Sequence, residues 1–187
     1  PLLYGQIIFN WAAVLREQGV FLWESLDALK EALKYFRKAD FPQYTVRVLH
    51  ALSGLSCELG EEEKASTFLE EAWMLLKSRM PDLIWERIRC FILMGQQAMK
   101  REEDALIYLQ QALFCSPSIP SSLGYSYWVC LELTNFFSLI GNQSEKEKYQ
   151  DMAKEIKKKI IDIWGAHAPI FLDEKFHMWG QLKKNSF

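Results

Sequence analysis

The chain has 187 residues, half of them apolar, and 22 basic against 24 acidic side chains leave a net charge of -2. Because nucleic-acid binding depends on clustered Lys and Arg, this balance disfavours a nucleic-acid partner. No charged segment precedes an apolar run at the start, which argues against a secretory signal. The longest uncharged stretch, 105–131, contains two prolines and five serines, so a membrane span is not expected either.

The first two predicted helices form a pair. One spans 2–18, where apolar or small residues recur at spacings of four, three and four on one helical face. The other spans 24–36 and ends before Pro42, because the residue preceding a proline avoids the helical region. The residues that carry the first pattern are Ile8, Ala12, Leu15 and Gly19.

The same paired pattern returns three times along the chain. The second pair is predicted over 43–59 and from Glu61 to about 80, with Gly60 as the stop between them. The third pair carries the pattern of a first helix at Ile88, Ile92, Gly95 and Met99 and has its second helix over 103–115. The fourth starts near 121, stops at Gly141, and resumes from Ser144 to 163. A last helix over 170–184 is predicted as a cap, or as the first helix of a fifth pair.

A period of 40 residues links these pairs. Ser25, Leu29 and Ala32 align without a gap onto the next two pairs. The aligned residues are Ala65, Leu69, Ala72, Ala105, Leu109 and Ala112. A fixed period of this length indicates stacked supersecondary units, since no single unit buries its own apolar face. We therefore expect an all-α fold: one α-solenoid domain over 1–187, a right-handed superhelix of about four helix-turn-helix units (1–40, 41–81, 82–120, 121–165) with a cap at 166–187.

This column resembles the second helix of the tetratricopeptide repeat family, in which small, Leu and Ala positions recur before a Pro such as Pro117. The usual period in that family is 34, shorter than the period here, and the first helices lack its usual Trp, Gly and Tyr. The fourth pair places Lys146 and Gln150 where Ala and Leu are expected. A HEAT-like or armadillo-like stack, with a period of about 40 to 47, is the alternative.

Catalytic and metal-binding motifs are missing from the sequence, so we expect no enzyme activity, cofactor or metal in this segment. Glu174 and His177 are three residues apart, a spacing more typical of a surface ion pair than of a site. Four lysines at 154 and 157–159 alternate with acids and predict a solvated helix face. The cysteines show no CxxC spacing, which favours small buried side chains in a reducing, cytoplasmic compartment. They are Cys57, Cys90, Cys115 and Cys130.

The first helices of such pairs line a groove, and equivalent residues of successive pairs would meet the same ligand. Arg47 and Arg87 are one period apart, and the guanidinium fork of Arg suits carboxylates. Neighbouring positions add apolar and polar contacts for a peptide. These further groove candidates are His50, Phe91, Met94, Trp128 and Asn135.

The sequence therefore favours a non-enzymatic scaffold that binds a protein or peptide partner. The alternative is a regulatory or structural tail of a large signalling enzyme, such as a STAND-type ATPase or a protein like soluble adenylyl cyclase, with catalysis elsewhere and adjoining domains of the same chain as partners. The start at Pro1 instead of Met, inside an apolar pattern, leads us to expect a piece of a longer protein.

Overall fold

The computed structural model describes residues 2–19, 21–101, 103–116, 123–168 and 172. Within these ranges the chain forms eight α-helices and a final 3-10 turn, Gly165–His167, and contains no strand. The helices are α1 (Leu2–Glu17), α2 (Leu22–Lys38), α3 (Pro42–Glu58), α4 (Glu62–Arg79), α5 (Ile84–Lys100), α6 (Leu106–Cys115), α7 (Leu123–Leu139) and α8 (Gln143–Trp164). The predicted all-α architecture is confirmed for this part of the chain. The predicted last helix, 170–184, lies outside the described residues except for residue 172, as do Glu174 and His177.

Two helix boundaries coincide with residues that favour turns or helix caps. Gly60 follows α3 with a φ of +78°, a left-handed conformation that glycine adopts without steric cost. The next amide, of Glu61, donates to the carbonyl of Ser56 at 2.8 Å, which closes the helix end. At the other end of a helix, the side chain of Asn142 accepts the amide of Glu145 and caps the start of α8. The stops predicted at Gly60 and at Gly141-Asn142 are therefore confirmed.

One predicted boundary was wrong by about three residues. We expected the second helix of the third pair to begin at Glu103, but α6 begins at Leu106. The side chain of Asp104 accepts the amide of Leu106 at 3.0 Å, a local turn that competes with helix formation. The turn therefore delays the start of the helix.

The repeated column lies in the core. All nine of its side chains are buried, with no more than 2% of any residue exposed. Small residues at the column let paired helices approach closely, and Ser25 Oγ donates to the carbonyl oxygen of Ala12 across the α1–α2 contact at 2.7 Å. The residues are Ser25, Leu29, Ala32, Ala65, Leu69, Ala72, Ala105, Leu109 and Ala112.

In the fourth pair, a tyrosine occupies the position that leucine holds in the other three pairs. Tyr149 lies one period after Leu109, is buried, and stacks on Phe137 with ring centroids 5.5 Å apart. Ala153 is the next buried residue, four positions on instead of three. The two residues singled out from the sequence, Lys146 and Gln150, are only half-buried.

The described residues divide into two compact units, one ending at Glu86 and one beginning at Arg87. In the first unit α1 packs on α2, α2 on α3, and α3 on α4. In the second unit α6 packs on α7 and α7 on α8, while Leu109 of α6 lies against Gly95 of α5. Consecutive helices are thus paired within each unit. Below, α1, α3, α5 and α7 are called the first helices, and α2, α4, α6 and α8 the second helices.

Candidate partner-binding surface

In the first unit, a buried charge connects α1 to α3. Arg16 is only 3% exposed, and its guanidinium donates to the two carboxylate oxygens of Glu58 at 2.5 and 3.2 Å. Burial lowers the pKa of Arg16, and the charge and hydrogen bond of Glu58 oppose that shift. A bidentate pair of this kind fixes the two helices in angle as well as in distance. Neither residue stood out from the sequence alone.

A second cluster in this unit connects α3 to the first turn of α5. Arg47 Nε donates to Glu86 Oε1 at 2.9 Å, and His50 Nδ1 lies 3.4 Å from Glu86 Oε2. Both His50 and Glu86 are buried, whereas the side chain of Arg47 is 38% exposed. The structure therefore brings two of the predicted groove residues together through a carboxylate.

Glu86 itself was missed by the sequence reasoning. It directly precedes Arg87, which we had singled out because Arg47 and Arg87 are one period apart. The sequence did contain a pattern that indicates this ion pair. Arg47 and Glu86 are 39 residues apart, close to the 40-residue period, and such a separation places the two residues on neighbouring first helices. Opposite charges one period apart predict an ion pair as readily as two equal charges predict a shared ligand.

In the second unit, α5 and α7 are connected by hydrogen bonds to a buried acid. Glu132 Oε1 accepts from Gln96 Nε2 at 2.7 Å and from the indole Nε1 of Trp128 at 3.1 Å. The Trp128 bond lies within α7, whereas the Gln96 bond joins α5 to α7. A second hydrogen bond between α5 and α7 runs from Arg89 to the hydroxyl of Tyr125 at 3.2 Å. Trp128 was predicted as an apolar anchor for a ligand. The structure places it in the core, 1% exposed, where it supports Glu132.

The remaining predicted groove residues also lie in the second unit and differ in exposure. Phe91 is buried, Arg87 and Met94 are half-buried, and Asn135 is exposed on α7. Of these four residues, Asn135 is therefore the most accessible to a ligand and Phe91 the least.

Helix α8 presents a different, charged surface. On α8, Lys148 pairs with Glu145 at 2.9 Å and Lys154 with Asp151 at 2.8 Å. The lysines at 154 and 157–159 are exposed. This arrangement agrees with the solvated helix face expected from the alternating charges. Within the described ranges, no three or more His, Cys, Asp and Glu side chains are grouped so as to hold a metal ion.

Another exposed surface is apolar and lies on α1. Five large side chains there are between 44% and 70% exposed. They are Leu3, Tyr4, Ile7, Trp11 and Val14. Of the face predicted from sequence periodicity, Ala12 and Leu15 are buried and Ile8 is half-buried, whereas Gly19 lies beyond the end of α1 and is exposed. The prediction did not include the exposed apolar side chains on the other face.

Comparison of the sequence with models of known protein families and with curated proteins finds no match. Among the described residues, no helix combines the length and apolarity that crossing a membrane requires.

Proposed function

We propose that this segment is a non-enzymatic interaction scaffold: a tetratricopeptide-like, right-handed solenoid whose first helices present a groove to a protein or peptide partner. The proposal includes a cytoplasmic, reducing location, in which the four cysteines, free in the structure, would stay reduced.

One observation carries the proposal: in each unit the first helices are joined directly to one another by partly buried polar contacts. In the first unit these are the pairs Arg16–Glu58 and Arg47–Glu86, and in the second unit the contact is Gln96–Glu132. The backbone of helices held this way is already ordered before a partner binds. Binding energy is then not spent on ordering the receptor.

The accessible chemistry of the groove candidates suits a peptide. Met94 offers a flexible apolar contact and Asn135 an amide that both donates and accepts. The guanidinium of Arg47 is committed to Glu86, so reversing its charge would disturb the fold of the first unit before it tested the groove. A test of binding therefore belongs at the second unit.

The experiment compares proteins captured by three forms of the 187-residue chain, measured by quantitative mass spectrometry. The groove variant carries Met94→Ala with Asn135→Arg. The control carries Gln110→Arg, which makes the same amide-to-cation change at an exposed position of the second helix α6 in the same unit. Unchanged helical circular dichroism and melting temperature are required of both variants.

We expect at least one protein captured by the wild type and by the control to fall about tenfold or more with the groove variant, which corresponds to about 1.4 kcal/mol of binding free energy. Capture that is equal for the groove variant and the wild type would contradict the proposal, as would a loss confined to the Gln110→Arg control.

A further inference from the structure

We draw no further inference here: the strongest candidate, the cavity of about 520 Å³ along α2 that is lined by Asp27, Lys30, Glu31, Lys34, Tyr35 and Lys38, has a single helix with charges of both signs as its wall among the described residues, and nothing in the structure shows what would occupy it.

Discussion

Gly95 in α5 lies directly against Leu109 of α6. A Cβ added there would lie 2.7 Å from Cδ2 and 2.9 Å from Cγ of Leu109, distances that a buried leucine cannot relieve by moving outward. At Gly54 in α3 the nearest atom to an added Cβ is a nitrogen of Arg16 at 3.5 Å, an ordinary contact. The two glycines are both within helices and differ in the space beside them.

We predict that Gly95→Ala lowers the free energy of unfolding by about 1 kcal/mol, since overpacking of about 1 to 3 kcal/mol outweighs the gain of about 1 kcal/mol in helix propensity. Gly54→Ala gains the propensity without the clash and should be neutral or stabilising. Urea unfolding of both variants measures the difference. Equal stability of the two variants would show that the α5–α6 contact is looser than described.

Cys130 is a residue whose burial controls its chemistry. Burial raises the pKa of its thiol to about 11 from an ordinary value of 9.0, so the nucleophilic thiolate is scarce at pH 8. Cys115 on α6 is only half-buried. We predict that iodoacetamide at pH 8 alkylates Cys115 in the native protein well before Cys130, as followed by peptide mass spectrometry.

The same pKa shift has a defined effect on stability. Between pH 9 and 11 the folded protein keeps the proton on Cys130 that the unfolded chain has lost. The contribution of this group to the free energy of unfolding is therefore full below pH 9 and falls as the pH rises.

For the alkylation experiment, the control is the protein unfolded in urea, in which Cys115 and Cys130 should be alkylated at similar rates. Similar rates in the native protein would contradict the burial of Cys130.

At the scale of helices, the pair between Arg16 and Glu58 predicts an asymmetry between its two partners. Arg16 is nearly inaccessible, whereas 28% of the Glu58 side chain reaches solvent. Glu58→Gln leaves a buried cation without its counter-charge and should cost about 2 kcal/mol. Arg16→Met removes the cation, keeps the packing of its stem, and leaves a carboxylate that water can reach. We expect it to cost less than half as much.

Chemical denaturation of the two variants measures this asymmetry. The result expected is a lower midpoint for Glu58→Gln than for Arg16→Met, with both chains still helical. If Arg16→Met were the more damaging change, the pair would act mainly through the packing of the arginine stem instead of through charge.

Over the whole described chain, the sequence predicted the buried residues that recur with the 40-residue period. It did not predict features that occur in only one pair of helices. The nine column residues share a period and a residue size, and both follow from the need to bring two helices together. Tyr149 takes the place of leucine in the fourth pair, which a search for small aliphatic residues does not detect. Periodicity also cannot distinguish a covered apolar face from an open one, so the exposed apolar side chains around Trp11 required the packing of α1 to be known.

For the groove candidates, the sequence did not distinguish residues of a ligand site from residues of the core. His50 and Trp128 are of residue types that occur in ligand sites and in polar cores alike. Each lies in the core beside a buried acid: Glu86 contacts His50 from the neighbouring helix, and Glu132, which Trp128 contacts within α7, also accepts from Gln96 of α5. Such contacts depend on the stacking geometry, which sequence spacing alone does not supply.

The central claim is that one structural unit recurs every 40 residues, with equivalent side chains buried in equivalent places. It is tested most directly by the free energy of urea unfolding of three separate variants, Leu29→Ala, Leu69→Ala and Leu109→Ala. Each should lose about 2 to 5 kcal/mol, because each leucine is buried. The controls Met74→Ala and Phe114→Ala, at side chains 62% and 87% exposed on the same kind of helix, should lose no more than about 0.5 kcal/mol. A loss at any of the three leucines no larger than at the controls would contradict the repeat as a physical unit.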